Sequence, residues 1–313
     1  MAIVVNTNLA SLQVQRNLNS TTDRLNKTIE RMTTGLKINH ASDDAAGLYI
    51  ANGLETQIRG SEIAENNIQT GVNILQIAEG DLSLIEEHLL RIRDLATQAA
   101  SDYYSEDARK AMADEAVQRY EEINRIAQAS NFNGLNLLDG SLTEMRLQIG
   151  PDSPDAINAL NITGVFGDSS AKGIGLTTED ATKPTDTTRN DIVEIRKAFQ
   201  GDKVDKDGTI TDATGNGDPA ENAAAFIATC DTALNAVTTK RAAIGAVQNR
   251  LDSAYNSLLV QVENLTAAKS TIMDADIAKE SSEYTKQQIL QQASASILVQ
   301  ANQAPSIALS LLQ

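Results

Sequence analysis

The residue types that could perform chemistry are few in this chain of 313 residues. His40 stands near Asp43 and Asp44, but one histidine and two adjacent acids do not make a convergent set of metal ligands. His88, the second of the two histidines, has no partner at the spacing of a zinc-binding helix. We therefore predict no metal site, and we interpret residues 40–44 as a polar turn between two helices.

Two further motifs are similar to parts of functional sites. The run Asp-Lys-Asp-Gly at 205–208 resembles part of a calcium loop, but aligning its glycine to the sixth position places Thr214 last, where an acid is needed. Cys230, the single cysteine, has no histidine or other base near it in sequence and lies on an apolar stripe. We predict no catalytic residue, no cofactor and no enzymatic activity.

The composition excludes several classes of partner. A formal net charge of −16 repels the phosphates of nucleic acids. No stretch approaches the roughly 20 apolar residues of a membrane helix, and residues 1–6 lack the basic start of a secretory signal peptide. Aromatic residues make up 3% of the chain, too few for a thick round core. By these rules alone the protein would be soluble and cytoplasmic.

Helix-breaking residues concentrate in the middle of the chain. Four of the five prolines and half of the 18 glycines fall between residues 141 and 219, and such residues end or kink helices. The segment predicts hairpins and loops, with at most one short helix near residues 192–199.

The regions on either side carry long apolar stripes at helical spacing. Between residues 227 and 265, stripe residues recur at alternating steps of three and four, and only Arg241 and Gln248 among them are polar. A helix over about 222–269 would be roughly 70 Å long, so it needs partners of similar length, which the stripes at 75–99 and 112–127 supply. The residues predicted to form this outer-core seam are Leu82, Leu89, Ile92, Leu234, Ile244, Leu251, Leu258 and Val262.

Both ends of the chain lack charge. No ionisable side chain precedes Arg16, and none follows Lys286. The stripes near both ends consist largely of small or apolar residues, which bury little area in an isolated pair of helices. We expect these ends to pair and then to be covered by identical copies of the chain. The residues predicted to pack in this inner core are Leu9, Leu12, Leu18, Leu25, Ile29, Leu290, Ile297, Ala301 and Leu311.

Seven short motifs together resemble those of the bacterial flagellins. They are IVVNTNLASL at 3–12, GLKIN at 35–39, DDAAGL at 43–48, NFNG at 131–134, GAVQNRL at 245–251, QILQQA at 288–293 and LSLLQ at 309–313. The resemblance covers roughly residues 1–175 and 220–313 in the family's order. It implies a mainly α protein, a long antiparallel bundle or coiled coil with paired terminal helices and a small β-hairpin region.

The resemblance also implies an arrangement of domains and a function. Residues 1–45 with 270–313 would form inner-core terminal helices, 46–175 with 220–269 an outer-core bundle with hairpins, and 176–219 a short exposed insert. The function implied is that of a filament subunit for bacterial motility, exported unfolded without a cleavable signal and ordered on assembly outside the cell. Its implied partners are copies of itself, an export chaperone, the filament cap and the hook-filament junction proteins.

Finer implications stay open at this point. By resemblance, Arg91, Leu95 and Glu115 would contact the flagellin-sensing Toll-like receptor of animal hosts; alternatively, Leu95 borders the seam and Arg91 is a solvated surface residue. The threonines of the insert could carry O-linked sugars or simply form a hydrophilic loop. A junction adaptor between hook and filament is the alternative to a filament subunit, and a cytoplasmic coiled-coil scaffold is a third hypothesis.

Overall fold

The computed structural model describes residues 8–153, 157–176, 187–200 and 219–310. Six helices and four short strands follow in the order α1 Leu9–Thr34, α2 Ala45–Ala99, α3 Glu106–Ala129, β1 Asn131–Phe132, β2 Leu135–Asn136, β3 Glu144–Gln148, β4 Ala159–Thr163, α4 Thr187–Gln200, α5 Pro219–Met273 and α6 Ile277–Ser310. The predicted mainly α class is confirmed. The run at 205–208, the threonines at 177–185, most of the insert, and Leu311 lie outside the described residues.

The chain divides into two compact units. Unit 1 comprises Met1–Arg59 and Val260–Gln313, and unit 2 comprises Gly60–Leu259. The division falls inside α2 and α5, whereas the sequence prediction placed the limits of the terminal domain at residues 45 and 270.

Unit 1 is built around the antiparallel pairing of α1 with α6. The side chain of Asn8 caps α1 by accepting from the amide of Ser11 at 3.1 Å. Gly35 ends α1 in a left-handed conformation, with φ of 72°, which suits a residue without a Cβ. Beyond it, the Lys37 amide donates to the Met273 carbonyl at 2.6 Å and the Ala275 amide donates to the Gly35 carbonyl at 2.9 Å.

The turn from α1 to α2 is held by two aspartates. The Asp43 carboxylate accepts from the backbone amide of His40 at 3.2 Å, and this bond is the main cause of the lowered pKa of Asp43. Asp44 accepts from the amide of Gly47 at 2.9 Å in the first turn of α2. The imidazole Nε2 of His40 lies 2.8 Å from Glu30. The interpretation of residues 40–44 as a polar turn between helices is confirmed.

Unit 2 buries the apolar stripes of α2, α3 and α5 in one core. Ser105 caps α3: its hydroxyl accepts from the Ala108 amide at 3.3 Å, and the acidic Glu106 and Asp107 follow in the first turn. The short helix expected near residues 192–199 is α4, which packs on α3. Phe199 of α4 is buried and meets Phe226 edge to face, with ring centroids 6.0 Å apart.

Two antiparallel hairpins complete unit 2. The β1–β2 turn has Asn133 and Gly134 at positive φ, of 49° and 82°, as the twist of a two-residue hairpin requires. The β3–β4 hairpin pairs Glu144 with Thr163 through Gln148 with Ala159. It lies against α2 at two glycines: Pro151 packs over Gly60, and the Leu147 side chain packs over Gly71.

Lys240 of α5 fixes the segment that follows the second hairpin. Its ammonium donates to the Asp168 carbonyl at 2.7 Å and to the Ser169 hydroxyl at 2.8 Å. Burial lowers the pKa of this lysine, since removing a cation from water disfavours its charged form. The hydrogen bonds to the loop replace the water molecules that the Lys240 ammonium loses on burial.

Candidate assembly surface

The terminal helices leave large apolar side chains in contact with solvent. Leu9 is 75% exposed and Ile297 is 53% exposed, although neither end of the chain offers charged residues to solvate it. Of the eight predicted inner-core residues that the structure describes, five are exposed and only Leu25 is buried. The five exposed ones are Leu9, Leu12, Ile29, Leu290 and Ile297, and the two of intermediate burial are Leu18 and Ala301.

This exposure follows from the small number of neighbours. α1 and α6 pack on each other, and one contact covers only one strip of each helix. Three apolar residues of α6 that the stripe pattern did not select are also exposed, namely Ile277, Ile289 and Val299. The sequence does indicate that Ile289 and Val299 could be covered in an assembly, because residues 287–313 carry no charge on any face of the helix. A helix that packs on a single neighbour needs only one uncharged face.

Neutral hydrogen bonds join the outer parts of the pair. The Asn8 amide group donates to the Ala301 carbonyl at 2.7 Å, and Gln291 donates to the hydroxyl of Thr22 at 3.2 Å. Closer to the turn that joins α1 to α2, Arg31 lies 3.6 Å from Glu280. These partly buried polar contacts each contribute only about 0.5–1.5 kcal/mol, so they hold the pair weakly toward the chain ends.

The outer-core seam lies in the interior of the protein. Its fully buried members are Leu82, Leu89, Ile92, Ile244 and Leu251, with Leu258 5% exposed. Leu234 is partly buried against the same core, and Val262, which belongs to unit 1, is of intermediate burial. Within the seam, Cys230 is buried, and desolvation raises the pKa of its thiol to about 12, which leaves it protonated and unreactive.

The structure brings together two of the three receptor-contact candidates. Arg91 of α2 makes a two-pronged ion pair with Glu115 of α3, at 2.7 Å from Nε and 3.2 Å from the terminal nitrogen. This bond lowers the pKa of the Glu115 carboxyl and raises that of Arg91. Leu95 is only 2% exposed and belongs to the core, so its side chain does not join the other two on the surface.

The described residues contain no group of three or more His, Cys, Asp or Glu side chains arranged to hold a metal ion. None of the helices in the described ranges is both long and apolar enough to span a membrane.

The geometry defines a mainly α protein whose terminal helices present uncovered apolar surface. Residues 5–143 match the family model for the bacterial flagellin N-terminal helical region, and residues 227–312 match that for the C-terminal helical region. Polar flagellin F of Vibrio parahaemolyticus is 36% identical over 376 aligned residues, and flagellin A of Vibrio anguillarum is 36% identical over 383. Both alignments cover 100% of each chain.

The chain therefore belongs to the bacterial flagellin family, and it is a structural subunit of the flagellar filament rather than a member of an enzyme family. The fold is also similar to that of a chain assigned as a flagellar hook-associated protein of Vibrio parahaemolyticus. That likeness has a TM-score of 0.56 at 14% identity, and it covers 74% of this chain and 100% of the other.

Proposed function

We propose that this chain polymerises with copies of itself through the terminal pair, α1 and α6, as the subunit of an extracellular filament. The observation that supports this most directly is the set of exposed leucine, isoleucine and valine side chains on two helices whose ends carry no charge. Burying such a side chain completely contributes about 1.5–3 kcal/mol. Contacts of one surface with a different surface of the next copy repeat without closing and generate a helical fibre.

The terminal pair is ordered by assembly. Ordering a residue costs about 1–2 kcal/mol, and the sparse burial between α1 and α6 offsets only part of that cost in a lone chain. Weak ends suit export as an unfolded chain, held by an export chaperone and then added beneath a filament cap above the hook-filament junction proteins.

A junction adaptor is the alternative, favoured by the fold shared with the hook-associated chain. Against it stands the 36% identity over the full length of proteins named flagellin, compared with 14% to that chain. The two roles predict different amounts of this chain in the filament. Fractions of sheared cells would contain this chain as the bulk of the fibre if it is the filament subunit, and as a trace component at fibre ends if it is an adaptor.

Seeded polymerisation tests the proposal. The purified full-length chain, mixed with short filament fragments, should form fibres visible by electron microscopy, whereas a chain lacking residues 287–313 should not. A chain lacking residues 201–218, which fall in the insert, serves as the control for a deletion elsewhere in the chain and should still polymerise. Fibre growth by the form lacking 287–313 would contradict the role proposed for α6.

Amide exchange of the lone chain gives a second, independent test. We expect amides of α1 and α6 to exchange faster than those of the α2, α3 and α5 core, because opening the terminal pair exposes little buried surface. Protection of the terminal helices equal to that of the core would mean that one copy suffices to order them.

We further propose that the monomer is recognised by the flagellin-sensing Toll-like receptor through Arg91 and Glu115. The ion pair between them places a cation and an anion side by side on the surface of α2 and α3. A receptor cell assay should lose signal with Arg91→Ala. The matched control is Arg125→Ala, which removes an arginine paired with Glu122 on α3 and should signal normally; equal signalling by both variants would refute the proposal.

Leu95 is less useful in that assay. Its side chain is buried in the core, so Leu95→Ala would leave a cavity and weaken unit 2 by roughly 2–5 kcal/mol. A loss of signal in that variant would report instability as well as contact.

A further inference from the structure

Six polar side chains form a ladder between α2 and α5 within unit 2. On α2 they are Glu79, Glu86 and Arg93, spaced by seven residues, and on α5 they are Asp231, Arg241 and Gln248. Arg241 is hydrogen-bonded to Glu86 and lies 3.9 Å from Glu79. Arg93 donates to Asp231 at 2.6 Å. Gln248 reaches Glu79 at 3.5 Å.

The apolar seam beside this ladder cannot by itself choose a register. It repeats every seven residues on both helices, and its members on α2, α3 and α5 are nearly all aliphatic. Sliding α5 along α2 by seven residues would again place aliphatic side chains against aliphatic side chains. Burial of apolar area therefore discriminates weakly between the observed register and its two neighbours.

The first neighbouring register is opposed by like charges. Here Arg241 faces Glu86, so the position seven residues further along α2 is Arg93. Moving α5 by one heptad in that direction would bring the guanidinium of Arg241 against that of Arg93. It would also leave Glu86 opposite a neutral residue.

The opposite register is opposed as well, by carboxylates. Moving α5 by one heptad the other way would take Asp231 from Arg93 to Glu86, which places two anions together. Gln248 would then face Val72, a partly buried apolar residue, and its amide would lose its partner. Each shift thus creates a repulsion between like charges in addition to removing an attraction.

We infer that the polar ladder selects the register of α5 on α2, because like charges oppose both neighbouring registers whereas the apolar seam distinguishes them only weakly. Polar residues in the seam of a coiled coil are known to select register at a cost in stability. The register decides which outward-facing residues of the two helices stand side by side. The ladder therefore determines the surface that unit 2 offers to any other molecule.

Spin-label distances in the dilute full-length chain test this inference. Labels on cysteines at Ser83 of α2 and Ser257 of α5, both exposed, are attached in a Cys230→Ala background and measured by pulsed electron resonance. The ladder predicts one distance. With Arg241→Glu, the new carboxylate is repelled by Glu79 and Glu86 and attracted by Arg93, so a second population should appear that is shorter by about 10 Å, the rise of seven residues.

Two companion variants keep the test decisive. Adding Arg93→Glu to Arg241→Glu should abolish the shorter population. If Arg241→Glu alone loses its helical circular dichroism, the neutral pair Glu86→Met with Arg241→Met replaces it and should give more than one discrete distance. Arg250→Glu, an exposed site on α5 outside the ladder, is the matched control and should keep one distance. A single unchanged distance in both Arg241→Glu and the methionine pair would overturn the inference.

Discussion

Ile297 on α6 offers the sharpest quantitative test of assembly through the terminal pair. Its side chain is 53% exposed in one copy. Complete burial of an isoleucine contributes about 1.5–3 kcal/mol, so covering the exposed half on assembly should contribute about 1 kcal/mol per subunit. Ile297→Ala removes most of that gain and should raise the critical concentration for seeded growth about fivefold, since 1.4 kcal/mol corresponds to about tenfold.

The assay is sedimentation of fibres over a series of subunit concentrations. Gln292→Ala, an exposed polar site on the same helix, is the control and should leave the critical concentration within about twofold of the parent chain. Alanine favours helix more than isoleucine does, so the variant should not weaken the lone helix. Melting of the lone chain should therefore be unchanged by Ile297→Ala.

Two results would contradict the burial of Ile297 on assembly. If Ile297→Ala and Gln292→Ala polymerise with the same critical concentration, Ile297 stays in solvent in the fibre. If Ile297→Ala instead lowers the melting temperature of the lone chain, its side chain is covered within one copy, and the exposure that supports the proposal does not hold in solution.

Three further outcomes are expected. Gly60→Ala should lower the stability of unit 2 by about 1–3 kcal/mol, because a Cβ there would lie 2.8 Å from the Cβ of Pro151. A Cβ at Gly53 would meet nothing within 4 Å, so Gly53→Ala should stabilise its helix by up to about 1 kcal/mol. Thermal melts of the two variants measure the difference. Cys230 should react with a thiol reagent at pH 8 only after denaturant is added, since its pKa is about 12 and it is buried; rapid labelling of the native chain would contradict its placement. The Glu115 carboxyl has a lowered pKa because it accepts a hydrogen bond from Arg91. The pair therefore stabilises the fold at neutral pH, and this contribution disappears as the pH falls through the acidic range below the usual glutamate pKa. Arg91→Ala should flatten the dependence of the free energy of unfolding on pH in that range.

Local signals made much of the fold predictable. Ser105 followed by two acids marks a helix start from a few adjacent residues, and the structure shows that cap. The length of α5 follows from the stripe at 227–265, because a heptad pattern persists only where a helix does. The long helices on either side of the middle segment followed from their apolar stripes and from the concentration of prolines and glycines between residues 141 and 219, and the mainly α class was implied by the resemblance.

Features that depend on how elements meet were not predictable in the same way. The contact of Arg91 with Glu115 joins residues 24 positions apart, and no local pattern distinguishes them from other exposed charges. Gly60 and Gly71 seat the β3–β4 hairpin, while Gly53 in the same helix faces open space, although all three look alike in the sequence. Leu95 could be read as a seam neighbour or as a contact residue until the placement of α3 showed it to be buried.

The short backbone pairing at the base of the terminal helices has a consequence for the order of events in assembly. The amides of Lys37 and Ala275 tie the chain just after α1 to the chain just before α6, so we expect the two helices to form outward from this pairing. Closing the long loop between them is then complete at the outset, and each later turn adds only its own ordering cost. We expect α1 and α6 to pair progressively from this fixed base toward the ends of the chain as the incoming subunit binds its neighbours.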